Sequence, residues 1–172
     1  MSKSSNSKQS RRSKSEALFF RADKKWNSGD LQAAFRLFLA AAKAGDKAAQ
    51  LNVGNCYDTG SGIRRNRSSA LYWYKRAYRR GDASAATAIG TVWRDAGKPQ
   101  RALTWFLRAV KLGDEDSNLD IAKHYLVNEK DPQAAIPYLE KVCQSDRVTE
   151  ASAEEAKRLL KRAKKGLGST KI

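Results

Sequence analysis

Small and large apolar residues recur along this chain in one spacing, four times over. Ala34, Leu37, Phe38 and Ala41 are followed by Ala70, Trp73, Tyr74 and Ala77, then by Ala102, Trp105, Phe106 and Ala109, and last by a worn copy, Ala135, Tyr138, Leu139 and Val142. The anchor alanines lie 36, 32 and 33 residues apart. An i, i+3, i+4, i+7 spacing places all four side chains on one helical face. Self-similarity at a period of roughly 20–50 residues marks a solenoid, whose units bury their apolar faces only against their neighbours.

Each of these helices has a predicted partner upstream. Ala49, Val53, Gly54 and Tyr57 share one face in the second repeat, and Ala85, Ile89, Gly90 and Trp93 do so in the third. A glycine inside a helix costs ~1 kcal/mol against alanine; here it is predicted to let the backbone of the partner helix come close. The first three repeats close on Gly45-Asp46, Gly81-Asp82 and Gly113-Asp114. Glycine suits the left-handed position that ends a helix and aspartate the N-cap of the next, so each join is expected to stop one helix and start another within two residues. Joins that short force antiparallel packing.

The expected fold class is therefore all-α, a solenoid of about four antiparallel helix-turn-helix repeats over about 16–46, 47–82, 83–114 and 115–148. Pro99 and Pro132 fall in the first turn of second helices, Asp131 is a natural N-cap, and Pro137 is predicted to bend its helix. Ser152-x2-Glu155 is a capping-box pattern. Ala153, Ala156, Leu159, Leu160 and Ala163 line one face of a C-terminal capping helix over 149–167, whose other face is Lys and Arg; 168–172 is a short tail.

Charge adds a second layer. The chain carries a net +16, of which residues 1–15 contribute +5 and residues 157–172 contribute +7, leaving +4 on the repeats. Residues 1–15, Ser-rich and acid-free, cannot bury a core and are expected to form a disordered basic tail. Such ends suit either solvation or attraction to a polyanion or an acidic protein. No run approaches the ~18–20 apolar residues of a membrane span. The polar first fifteen residues lack the core of a secretory signal, so a cytoplasmic location is expected.

The chemistry-bearing residues are sparse. Cys56 and Cys143 lie on different predicted helices and read as reduced apolar residues, and the lone His124 has no companions for a metal or nucleophile site. Paired carboxylates and a phosphate-binding loop are also missing from the pattern, since Gly60-x-Gly62 lacks the lysine such a loop needs. No enzymatic activity, cofactor or metal is expected.

Residues 49–82 carry more. Leu51, Gly54, Tyr57, Gly60, Gly62, Asn66, Ala70, Trp73-Tyr74, Ala77 and Gly81-Asp82 together resemble a full Sel-one-like repeat, a relative of the tetratricopeptide repeats. Repeat 3 has a shortened loop, Gly97-Lys98-Pro99, closer to a tetratricopeptide turn, and repeats 1 and 4 match only in their second helices. The resemblance implies a right-handed stack with a concave face lined by first helices, and adaptor or scaffold roles. It also implies, as the most specific form, a cytosolic immunity protein that neutralises a toxin.

Two surfaces are candidates for a partner. On the first helices, the side opposite the core carries Asn52, Asn55 and Thr59 in repeat 2, Thr91 with neighbouring Arg94 in repeat 3, and His124 in repeat 4. In the long loop of repeat 2, Arg64, Arg65 and Arg67 are suited to carboxylates and phosphates. The expected partner is an acidic protein, a toxin domain among the options, met by a chain that is a monomer when free. The alternative is a basic nucleic-acid-binding repeat protein, its tails supplying affinity and Tyr72 and Tyr78 stacking on bases.

Overall fold

The computed structural model describes residues 3–168, and side chains from Lys14 onward except those of Gly166 and Gly168. Regular structure among these residues is helical: α1 (Lys3–Asn27), α2 (Leu31–Lys43), α3 (Lys47–Thr59), α4 (Arg67–Tyr78), α5 (Ala83–Asp95), α6 (Pro99–Lys111), α7 (Ser117–His124), α8 (Pro132–Gln144) and α9 (Glu150–Gly168). A π-helical turn, Tyr125–Glu129, prolongs α7. The pairs α1–α2, α3–α4, α5–α6 and α7–α8 are the expected repeats, and α9 is the expected last helix. The fold is an all-α helical-repeat solenoid. The expected tail at 168–172 lies outside the described residues beyond Gly168.

The chain divides into two compact units, residues 1–85 and 86–172. In the first, consecutive helices α1 to α4 pack in chain order. Their core joins Ala22, Phe35, Phe38, Ala49, Val53 and Trp73, with Phe19, Tyr57 and Ile63 packed against it. In the second, α6 to α9 likewise pack in order. Phe106 and Ile121 form one cluster with Trp93; Leu119, Ala122, Leu139, Val142 and Ala156 form another.

At α9 the expected cap at Ser152 is instead Thr149, whose hydroxyl accepts from the Ser152 amide at 3.2 Å; the three Gly-Asp joins follow the sequence logic with one exception. Gly45, Gly81 and Gly113 take left-handed φ of 99°, 77° and 94°. The next amide in each case bonds back to a carbonyl five residues earlier (Asp46 to Ala41, Asp82 to Ala77, Asp114 to Ala109), which closes the helix. Asp46 and Asp82 then cap α3 and α5 by accepting from the amides of Ala49 and Ala85. Asp114 departs from the expectation. Its carboxylate accepts from the hydroxyls of Thr87 and Ser117, and α7 starts only at Ser117. Two hydroxyl donors outcompete the role of a simple cap.

Two further expectations are corrected. Residues 3–15 are helical, as the start of α1, where a disordered tail was expected. No glycine or proline precedes Gly29, so a helix nucleated in the packed part extends without a breaker, and Ser15 is already buried. The helical glycines receive a ring and not a backbone: a methyl on Gly54 would overlap the Tyr74 ring, and one on Gly90 the Phe106 ring.

Candidate partner-binding surfaces

On the first unit, α1 and α3 bring Asp23, Trp26, Asn52 and Asn55 around a pocket of about 310 Å³ floored by Phe38. The Trp26 and Phe38 rings meet at 6.3 Å between centroids. Asn55 is not a free surface amide. The buried Tyr74 ring, seated on Gly54, donates its hydroxyl to Asn55 Oδ1 at 2.8 Å. That bond fixes which end of the exposed Asn55 amide faces Tyr74 and leaves its NH₂ donors for other partners. Asp23 accepts from Asn27 Nδ2 at 3.3 Å and keeps acceptor capacity. Asp23 and Trp26 were not singled out in the sequence, and Tyr74 was read there as a core residue only; its hydroxyl bond to Asn55, nineteen residues away, shows only in the structure.

Thr59 belongs to the end of α3. Its hydroxyl donates to the Asn55 carbonyl at 2.9 Å and meets Ser61 Oγ at 2.8 Å.

The long loop of repeat 2 lies against the first repeat. A side chain on Gly62 (φ 73°) would run into the Leu31 carbonyl, and Ile63 packs on the core. The Asn66 amide bonds to the Tyr57 carbonyl at 2.8 Å, and its side chain caps α4 at the Ser69 amide. This fixed loop exposes Arg64 and Arg65, and Arg67, expected in the loop, is exposed as the first residue of α4. Arg64 borders a cleft of about 560 Å³ that also holds Gln32 and Arg36. Arg65 lies 3.8 Å from Asp58. Tyr72 is 55% exposed, but Arg76 covers its ring at 5.8 Å and bonds its hydroxyl at 3.1 Å.

On the second unit, Thr91 is half-buried. Arg94 is committed within the chain: Nη1 pairs with Asp120 Oδ1 at 2.8 Å, and the guanidinium lies 5.9 Å from the Phe106 ring centre. Burial pushes the Asp120 carboxyl above its usual range, and Arg94 opposes that shift.

His124 is not on the surface strip. It is 5% exposed, with Nε2 3.3 Å from Glu129 Oε1. Repeat spacing aligns it with Val92 and Cys56, both buried, while Lys123 aligns with Thr91 and Asn55. One helical residue is about 100° of rotation, so a slip of one register position carries a side chain from surface to core.

Cys56 is buried and Cys143 half-buried, and both are free thiols. No cluster of three metal-ligating residues occurs among the described residues, and none of their helices is long and apolar enough to cross a membrane.

These repeats belong to a known class. Residues 27–46, 47–82 and 94–114 match the Sel1 repeat. The chain thus carries three Sel1 repeats, a repeat type that typically serves as a non-catalytic module for protein–protein interaction. No curated protein sequence matches it significantly. Among solved structures it is similar to a Sel1 repeat protein from Oxalobacter formigenes, at 27% identity and TM-score 0.56, over 78% of this chain and 64% of that one. It is also similar to c5321, a protective antigen of uropathogenic Escherichia coli, at 17% identity and TM-score 0.68, over 88% of this chain and 38% of that one. YrrB, a TPR protein with an unusual peptide-binding site, aligns at 19% identity and TM-score 0.61, over 90% of this chain and 78% of that one. The chain thus spans less than two thirds of the first two.

Proposed function

We propose that this protein is a binding module for a segment of another protein, taken up on the first unit in the pocket between α1 and α3. The observation that carries this reading is the Tyr74–Asn55 hydrogen bond, which orients an amide before any ligand arrives. An oriented donor loses less freedom on binding than a mobile one. With the Asp23 carboxylate and the Trp26 ring around the same pocket, it offers a peptide one donor, one acceptor and one flat apolar surface. Arg64, Arg65 and Arg67 then meet acidic groups of the partner outside the pocket.

An immunity role, with a toxin domain as partner, is the narrowest form of this reading. It predicts that cells expressing the captured domain survive only when this chain is co-expressed.

The test is capture from native extract with the wild-type chain and with an N52A/N55A variant, each with and without nuclease. A protein held by the wild type, lost with the variant and indifferent to nuclease is the expected result. Capture that disappears with nuclease transfers the reading to nucleic acid, and capture unchanged by N52A/N55A removes the pocket from it.

A further inference from the structure

The second unit carries a groove of different chemistry. It opens between the π-helical turn, the start of α8 and α9, with a volume of about 600 Å³, within the range of ligand sites of ~300–1,000 Å³. Leu126, Val127, Pro132, Leu159 and Ala163 supply apolar lining. Lys123, Lys130 and Arg162 stand around it, against one carboxylate, Glu155. That carboxylate is already occupied, by Lys123 at 2.7 Å and Arg158 at 3.7 Å.

The backbone here is unusual as well. The Tyr125 carbonyl accepts from the amides of both Lys130 and Asp131, and Lys130 takes a left-handed φ of 54°. Turns of this kind are rare and are frequently found at functional sites. Glu129 holds this one in place through Gln100 and His124. The turn leaves Val127 71% exposed at the groove. Water gains nothing from a valine held out in this way.

We infer that this groove docks an acidic amphipathic helix of a partner protein, its aliphatic side chains on Val127, Leu126 and Leu159 and its carboxylates against Lys130 and Arg162. The apolar lining calls for an aliphatic face, and two cations outside the Lys123–Glu155 pair, Lys130 and Arg162, call for acid beside it. The inference deepens the interaction reading but uses a separate surface, so N52A/N55A serves as a control that leaves it unchanged.

The experiment selects a display library of amphipathic helices, leucine on one face and Glu, Lys, Ser or Gln randomised on the other, against the full chain. Expected are Glu-rich helices whose affinity, read by fluorescence anisotropy, falls at least about tenfold with V127D. A K130E/R162E variant should enrich Lys-rich helices from the same library. All substituted side chains are exposed, and circular dichroism confirms that the variants stay folded. Selection of helices regardless of charge, or of none sensitive to V127D, overturns the inference. So does sedimentation with phosphatidylglycerol vesicles, or dimerisation of the chain in ultracentrifugation, if V127D abolishes it.

Discussion

Gly54 and Tyr74 act as one object. The ring occupies the space a Cβ would take, and its hydroxyl reaches Asn55. Repeat 3 repeats the arrangement without the hydroxyl, as Gly90 with Phe106, where Thr91 replaces the asparagine. In repeat 4 both members change together: Ala122 stands at the glycine position and Leu139 at the ring position, and both are fully buried. G54A should therefore destabilise by ~1–3 kcal/mol through overpacking, which exceeds the ~1 kcal/mol gained in helix propensity. Urea melts of G54A, Y74L and G54A/Y74L check this; the double variant should be more stable than G54A alone. Asn55 is tied to the same unit: N55A takes a partner from the Tyr74 hydroxyl and should cost ~0.5–1.5 kcal/mol.

A second prediction concerns Asp120. Its carboxyl is raised by burial, so its stability contribution is full below its ordinary value of 3.8 and is lost as pH rises through the raised value. Arg94 limits that loss. R94A should lower the melting temperature more at pH 7 than at pH 4, and D120N in the R94A background should close the gap. An equal loss at both pH values would falsify the coupling.

Among the elements, the second helices of the repeats were the most legible, because their small–large alternation is also their packing. Trp73 lies in the core of the first unit with residues from both of its repeats. W73A should cost ~3–5 kcal/mol, read as a shifted denaturation midpoint. The first helices were less legible. Their inner face was correctly placed in repeats 2 and 3, but in α7 the missing glycine removed the landmark, and His124 was assigned to the wrong side by one position. The partner of each helical glycine was invisible for another reason: periodicity shows that space is made, not what fills it. Nor does any pattern of apolar positions announce the π-turn, since its extra residue reads as one more helical position.

At the scale of the whole molecule, the net charge of +16 sits mainly toward the ends of the chain, while the fixed loop of repeat 2 and the start of α4 add Arg64, Arg65 and Arg67. Exposed charges act chiefly on encounter and are screened beyond the ~8 Å Debye length of physiological salt. The triple change of Arg64, Arg65 and Arg67 to Ala should lower the association rate for the captured partner and flatten its salt dependence. The dissociation rate should stay nearly unchanged. Stopped-flow mixing across a salt series decides; a faster dissociation would place these arginines inside the interface.

The pairing of each first-helix residue with its ring has a consequence for how such a chain can be rearranged. A repeat is exchangeable only if both members of the pair travel together. A chimera spliced at Gly81-Asp82 transfers Gly90 and Phe106 as a set, whereas one spliced at Gly97-Lys98 can set a donor's alanine against a ring it never met. Viable recombinants of this architecture should have their crossovers at the Gly-Asp joins, so that the unit of inheritance is the hairpin.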